Sequence, residues 1–281
     1  MPGVEEWSAA AYRRTLRFPD GVGIVELRPP PPGAAHIEGK LWLSSPQDRA
    51  DAIRRCRRLL DLDADPHAVD SRLAEDPVLA PLVAAAPGRR VPGAVDPTEM
   101  AVRAVLGQQV STAAARTHAA RLVVAYGEPV HDPGGGLTRL FPAVEALLDL
   151  DPAKLALPES RKRTLLGLLH ALADGTVSLN HGTPAAGAEQ FREQLLELPG
   201  FGPWTVETIA MRAFGDPDAF LAGDLGMRIA AEKLGLPTAP AALTARSRRW
   251  SPFRAYAVQH LWSTGGHAVN RLPEAAAPEG R

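Results

Sequence analysis

At 281 residues, with 45% hydrophobic and 22% charged side chains, the chain is long enough to bury a sizeable core and has the composition of an ordinary globular protein. No apolar run reaches the roughly 18 residues of a membrane span, and the opening MPGVEEWSAA lacks the basic start and apolar stretch of a secretory signal. A single cysteine, Cys56, excludes an internal disulfide, a cysteine-ligated iron–sulfur cluster and a Cys-rich zinc site, and the net charge of −1 withholds the broadly basic surface usual for nucleic-acid binding.

These readings imply a cytoplasmic protein with no membrane association and no metal site. Basic side chains gather only locally, at Arg54, Arg55, Arg57 and Arg58, at Arg161, Lys162 and Arg163, and at Arg246, Arg248 and Arg249. Such local clusters still matter, because screening limits the useful field to about 8–10 Å, but each cluster alone reads first as a solvated helix face.

In chain order, residues 1–45 read as strands. The runs 12–18 (YRRTLRF), 22–27 (VGIVEL) and 35–43 (AHIEGKLWL) alternate in part and are split by Asp20-Gly21 and by the prolines at 29–32. From residue 46 the pattern turns helical. Residues 46–60 are amphipathic, with Ala50, Ile53, Leu59 and Leu60 on one side, four arginines on the other, and Cys56 expected to have no redox role. After a turn at 87–92, Asp96 begins a helix as its N-cap, with Pro97 in the first position and Glu99 completing a capping box. That helix runs to Gly107. Another starts near Ser111 and runs through Leu122 towards Tyr126, leaving Gln108-Gln109-Val110 as a short polar corner. Glycines at 134–136 mark a loop, and further helices fit 142–150, 158–173 and 185–197. The fold class expected is α+β, mainly α. Residues 1–90 form an α+β unit with a small antiparallel sheet, 91–272 a helical unit with a cleft, and 273–281 a disordered tail.

The most informative stretch is 198–234. At 198–202 the sequence LPGFG makes a tight turn, and Pro203 restarts a helix with Val206, Ile209, Ala210, Ala213 and Phe214 on a 3–4 spacing until Gly215 stops it. Gly200 and Gly202, flanking Phe201, allow positive φ and close backbone approach. Free N–H groups at the new helix start then suit a phosphate without side-chain charge. A plain helix–turn–helix corner could use the same residues.

Residues 198–205 (LPGFGPWT), together with Asp224, resemble the signature of the helix-hairpin-helix DNA glycosylases. The stretches 103–111 (RAVLGQQVS), 220–224 (FLAGD) and 250–262 (WSPFRAYAVQHLW), with Trp204 after the hairpin, are most similar to the DNA-3-methyladenine glycosylase II (AlkA-type) branch. The similarity spans residues 12–265 or so, nearly the whole chain.

The resemblance implies a monofunctional enzyme of the bacterial nucleoid, acting as a monomer in base excision repair. It would flip a 3-methyladenine- or 7-methylguanine-type base out of double-stranded DNA and cut its glycosidic bond. Asp224 would be the catalytic carboxylate, and it could equally serve as a helix N-cap. Asp216 and Asp218 are rival acids in a turn where Asp is common for backbone reasons. Bifunctional members carry a lysine where this chain has Trp204, which implies no lyase activity. Trp204 and Trp262 would line the base pocket, with Trp250 as a further candidate. Core packing is the plain alternative for all three. Leu225 and Thr208 stand where some members carry aromatics and would shape that pocket. Gln109 would wedge into the gap left by the flipped nucleotide with Gln108 beside it, while Gly200, Phe201, Gly202 and Thr205 grip the strand. No cofactor is implied, apart from a monovalent cation on the hairpin backbone. Two alternatives stay open: a glycosylase for uracil or mispaired adenine, and a non-catalytic DNA-binding module. Members usually begin with a strand and a helix ahead of the part matching residues 4–16. The chain is therefore expected to be truncated, or fused upstream to an alkyl-transferring repair domain, with one sheet edge exposed.

Overall fold

The computed structural model describes residues 1–30, 33–179 and 185–265, the side chains of 185–188 excepted. The tail expected at 273–281 lies outside the described residues. The architecture is α+β and mainly α, with a small N-terminal sheet. Strands β1 (Glu5–Trp7), β2 (Tyr12–Arg17), β3 (Val22–Arg28) and β4 (Glu38–Leu43) form an antiparallel meander in the order β1-β2-β3-β4. The Asp20-Gly21 corner reverses the chain so that Arg17 faces Val22 and Thr15 faces Ile24. Nothing in the sequence marks β1, whose three residues are too few to show alternation; pairing of Trp7 with Tyr12 and Glu5 with Arg14 places it. Among the described residues β1 and β4 each pair on one side only, which leaves both sheet edges open.

One face of the sheet packs on α1 (Arg49–Leu59), where Leu16, Val25 and Leu27 meet Ala52, Cys56 and Val95. The buried side of α1 differs from the one expected. Ala50 and Ile53 are exposed, and the inward stripe runs through Ala52 and Cys56 to Leu59 and Leu60. Both stripes have helical spacing, and the small side chains of Ala52 and Cys56 are the ones the sheet covers. Burial pushes the Cys56 thiol up to about 11, despite the opposing pull of Arg14, which keeps it an unreactive core group.

The remainder is helical: α2 (Pro66–Ala74), α3 (Ala80–Ala85), α4 (Pro97–Leu106), α5 (Thr112–Tyr126), α6 (Val144–Leu148), α7 (Glu159–Ala173), α8 (Ala185–Glu197), α9 (Pro203–Ile209), α10 (Leu225–Lys233), α11 (Pro240–Ser247) and α12 (Arg254–Thr264). Asp96 caps α4 by accepting from Glu99 N at 2.9 Å, and Ser111 caps α5 through Ala114 N at 3.2 Å. The other half of the expected capping box does not form. Glu99 turns instead to Arg14 (2.6 Å) and Arg103 (2.9 Å), because a guanidinium is the stronger partner for a buried carboxylate than a backbone amide.

Two apolar cores fill the helical body. One gathers α4, α5, α7 and α8 around Leu106, Leu122, Leu165 and Leu195. The other joins α2, α3, α10 and α12 around Leu73, Leu79, Met227 and Trp250. Helices α2 and α3 thus pack against the C-terminal helices despite their early place in the chain. Helix α9 runs between the cores. Val206 and Ile209 belong to the first, whereas Ala210 and Met211, in the π-helical turn Ala210–Phe214 that follows, belong to the second. Val206, Ile209 and Met211 are fully buried and contribute ~1.5–3 kcal/mol each, so this seam helix is clamped from both sides.

Candidate active site

The chain leaves α8 at Glu197 and turns through 198–202 into α9. Phe201 N donates to the Leu198 carbonyl at 3.1 Å. Gly200 has φ +87°, and a Cβ there would come within 1.9 Å of Thr164 Oγ1, so both backbone and space demand glycine. Extended Gly202 is the N-cap residue of α9, and Pro203 follows in the first helical position. The amides of Gly202 and Trp204 find no acceptor among the described residues. That leaves a pair of donors at a partly exposed helix start.

The other hairpin candidates shape the turn instead of facing outward. Phe201 is buried in the first core. Thr205 is also buried, its hydroxyl accepting from Gln108 Nε2 at 3.0 Å, and the same nitrogen donates to the Gly200 carbonyl at 3.1 Å. Gln108 therefore ties the α4–α5 corner to the hairpin. Its neighbour Gln109 is exposed and sits at φ +53°, a left-handed conformation uncommon outside glycine and found disproportionately at functional tips.

Asp224 is partly exposed at the head of α10 and caps it, Oδ1 accepting from Met227 N at 2.9 Å. Two indoles converge on the same carboxylate. Trp262 Nε1 donates to Oδ1 at 2.8 Å, and Trp204 Nε1 donates to Oδ2 at 3.1 Å. These bonds bring α9 and α12 onto the first turn of α10 and hold the carboxylate in one orientation. Gly226 permits this approach, since a Cβ there would lie 3.1 Å from Asp224 Oδ1 and 3.3 Å from the Trp262 indole. Sequence reasoning passed over Gly226. The available signal was a glycine inside the first turn of a helix, which disfavours the helix unless something packs against it.

The remaining candidates divide cleanly. Thr208, one turn beyond Trp204, donates its hydroxyl to the Trp204 carbonyl at 2.7 Å and is partly exposed. Leu225, next to Asp224, is 62% exposed. Trp250 lies outside the site. It is fully buried in the second core and donates to Asp76 Oδ2 at 2.8 Å, beneath Arg246, which pairs with the same aspartate at 2.5 Å. Burial raises the Asp76 carboxyl, but Arg246 and Trp250 outweigh it and hold the group at about 2.

The rival acids are already neutralised. Asp216 pairs with Arg192 at 2.5 Å and Asp218 with Arg254 at 2.8 Å. Arg192 also pairs with Glu207 at 2.7 Å, whose other oxygen accepts from Phe220 N at 3.0 Å, so these ions fix the loop leading to Asp224. Asp224 itself has no ion-pair partner among the described residues. The arginines of α1 are likewise occupied: Arg54 and Arg55 by Asp51, Arg57 by Asp63, and Arg58 by the carbonyls of Ala94 and Val95. Among the described residues no helix is long and apolar enough to cross a membrane.

A hairpin feeding a capped aspartate, inside a two-core helical body with a small sheet, is the fold of the helix-hairpin-helix DNA glycosylases. The chain superposes on the 3-methyladenine DNA glycosylase of Archaeoglobus fulgidus with a TM-score of 0.78, covering 92% of this chain and 88% of that one at 21% identity. Residues 1–96 match the AlkA N-terminal domain family. With 35% identity over 221 residues to DNA-3-methyladenine glycosylase 2 of Escherichia coli, covering 77% of this chain and 73% of that protein, the chain belongs to the DNA-3-methyladenine glycosylase 2 (AlkA) family. It is also 55% identical over 273 residues to a "probable bifunctional transcriptional activator/DNA repair enzyme AlkA" of Mycobacterium tuberculosis. That match covers 97% of this chain and 54% of the relative, so the chain spans about half the relative's length.

Proposed function

We propose that the chain excises alkylated bases of the 3-methyladenine and 7-methylguanine type from double-stranded DNA as a monofunctional N-glycosylase. The observation that carries this reading is Asp224: a carboxylate fixed by two indole N–H groups and a helix amide, partly open to solvent, with no cation of its own among the described residues. Breaking the C1′–N bond sends its electron pair to the departing base and leaves positive charge on the deoxyribose. A carboxylate about 4 Å away at an effective dielectric near 20 stabilises that charge by roughly 4 kcal/mol, about three powers of ten in rate. Water then adds at C1′, and the same carboxylate orients it and accepts its proton.

The half-exposed rings of Trp204 and Trp262 flank this carboxylate and suit a cationic base, to which an indole face contributes about 0.5–2 kcal/mol. An alkylated cationic base is already a good leaving group, so no general acid is needed. That chemistry favours alkylated purines over uracil or mispaired adenine. The open amides of Gly202 and Trp204 suit a backbone phosphate, and exposed Gln109 suits the wedge. A monovalent cation on the hairpin carbonyls also belongs to this reading, since the Leu198 and Gly200 oxygens each keep a second lone pair. At position 204 an indole stands, which cannot attack C1′ as an amine can, and this supports hydrolysis without strand cleavage.

The test is incubation with methylated duplex DNA, scored for free base by chromatography and for strand breaks before and after alkali. Free 3-methyladenine with breaks appearing only after alkali is expected. Breaks that accompany base release without alkali would refute the monofunctional mechanism, and absence of base release would refute the activity.

A further inference from the structure

A cavity of about 360 Å³ lies where the sheet meets the helical body, between β1, the end of α1, the connector 92–96, α4 and the π-helical turn after α9. None of Asp224, Trp204, Trp262 or Gln109 lines it. Its walls are apolar, formed by Trp7, Leu27, Leu59, Leu60 and Met100. Its charged floor is almost balanced. Glu99 pairs with Arg14 at 2.6 Å and Arg103 at 2.9 Å, and Glu5 pairs with Arg103 at 3.2 Å and Arg14 at 3.6 Å. Asp96, also at the rim, caps α4.

Arg212 is left over. It lines the cavity from the π-helical turn and makes no hydrogen bond or ion pair among the described residues. Partial burial, with Arg103 adding repulsion, pushes its guanidinium down to about 10, and no carboxylate among the described residues offsets either effect. Arg212 is only partly exposed, and a cation partly withdrawn from water without a counter-charge is costly; a planar guanidinium matches a carboxylate through two parallel hydrogen bonds.

We propose that this cavity is a binding site, separate from the glycosylase centre, for a small carboxylate on an apolar stem. The head group would pair with Arg212 and the stem would lie against Trp7, Leu59 and Leu60. The volume has room for about a dozen waters at ~30 Å³ each, hence for a ligand of about that many non-hydrogen atoms. It also falls within the range of small-molecule pockets.

Octanoate is the probe, with octanamide (no charge), octylamine (opposite charge) and acetate (no stem) as comparisons, read by calorimetry and thermal shift on the whole chain. Octanoate is expected to bind and raise the melting temperature, with each comparison compound at least about tenfold weaker. Arg212→Gln should lose octanoate binding by about tenfold or more without lowering the melting temperature of the free protein, and Trp7→Ala, at an exposed position, should weaken it several-fold. No octanoate binding, equal binding of octanoate and octanamide, or unchanged affinity in a folded Arg212→Gln variant would each overturn the proposal. Should Arg212→Gln fail to fold, the comparison of octanoate with octanamide on the unaltered chain decides alone. Base release from methylated DNA is not the readout, so the two readings stand or fall separately.

Discussion

Two regions of the molecule treat carboxylates in opposite ways. At the seam between the sheet and the helical body, Glu5 and Glu99 are gripped by Arg14 and Arg103, and in the loop before α10 Asp216 and Asp218 are gripped by Arg192 and Arg254. At the head of α10, the donors that Asp224 receives among the described residues are all neutral, from Trp204, Trp262 and Met227. A carboxylate with a fixed cation beside it has little charge left for a second one. A carboxylate oriented by neutral N–H groups keeps its charge for whatever cation arrives. The contrast separates acids that hold the fold from the acid suited to a reaction, and it does so where sequence position and turn chemistry do not.

The sharpest way to break the contrast is to remove the charge and keep the shape. Asp224→Asn should lower base release by about three powers of ten while DNA affinity stays near that of the unaltered chain, since roughly 4 kcal/mol of charge stabilisation is lost. Single-turnover base release alongside a binding isotherm checks both parts. At the seam the same kind of change should act on stability. Arg14→Met leaves buried Glu99 with Arg103 alone and should cost about 3 kcal/mol in a urea titration, with base release at saturating enzyme little altered below the melting temperature.

A finer probe is Trp262→Phe, which keeps an aromatic ring but deletes the donor to Asp224 Oδ1. Loss of a hydrogen bond to a charged group, worth about 1.5–3 kcal/mol, should slow release by about tenfold or more. A variant as fast as the unaltered chain would mean that this indole does not position the carboxylate. The seam can also be probed by pH alone, without a substitution. Although burial pushes the Glu5 carboxyl up, Arg103 and Arg14 hold it at about 2 in the folded chain, against an ordinary 4.5. The stability it lends is therefore complete above pH 4.5 and is lost as the pH falls from there towards 2. Melting temperatures across that window should fall less steeply in Glu5→Gln.

Much of the fold was legible because local rules and packing agreed. Proline at the start of α4 and α9, the caps Asp96 and Ser111, and the glycines of the hairpin each state a backbone requirement that a sequence can display. Legibility failed where two local options were equally good. On α1 either of two stripes could have faced inward, and on α4 Glu99 could bond its own helix start or a distant arginine. Trp250 and Trp262 bound the same motif and look alike in sequence, yet one is the anchor of the second core and the other a ligand of Asp224.

By itself the sequence determined the starts of α4, α5 and α9, the hairpin and the spacing that carries the chain from Trp204 to Asp224, because these are short-range consequences of proline, glycine and capping side chains. Only the tertiary structure decided which acids are neutralised, that Gln108 tethers the hairpin while Gln109 is exposed at the tip, and that Arg212 faces a cavity without a counter-ion among the described residues. Those outcomes depend on which distant side chains arrive within hydrogen-bonding distance, and the order of residues along a chain does not specify that until two cores have packed around α9.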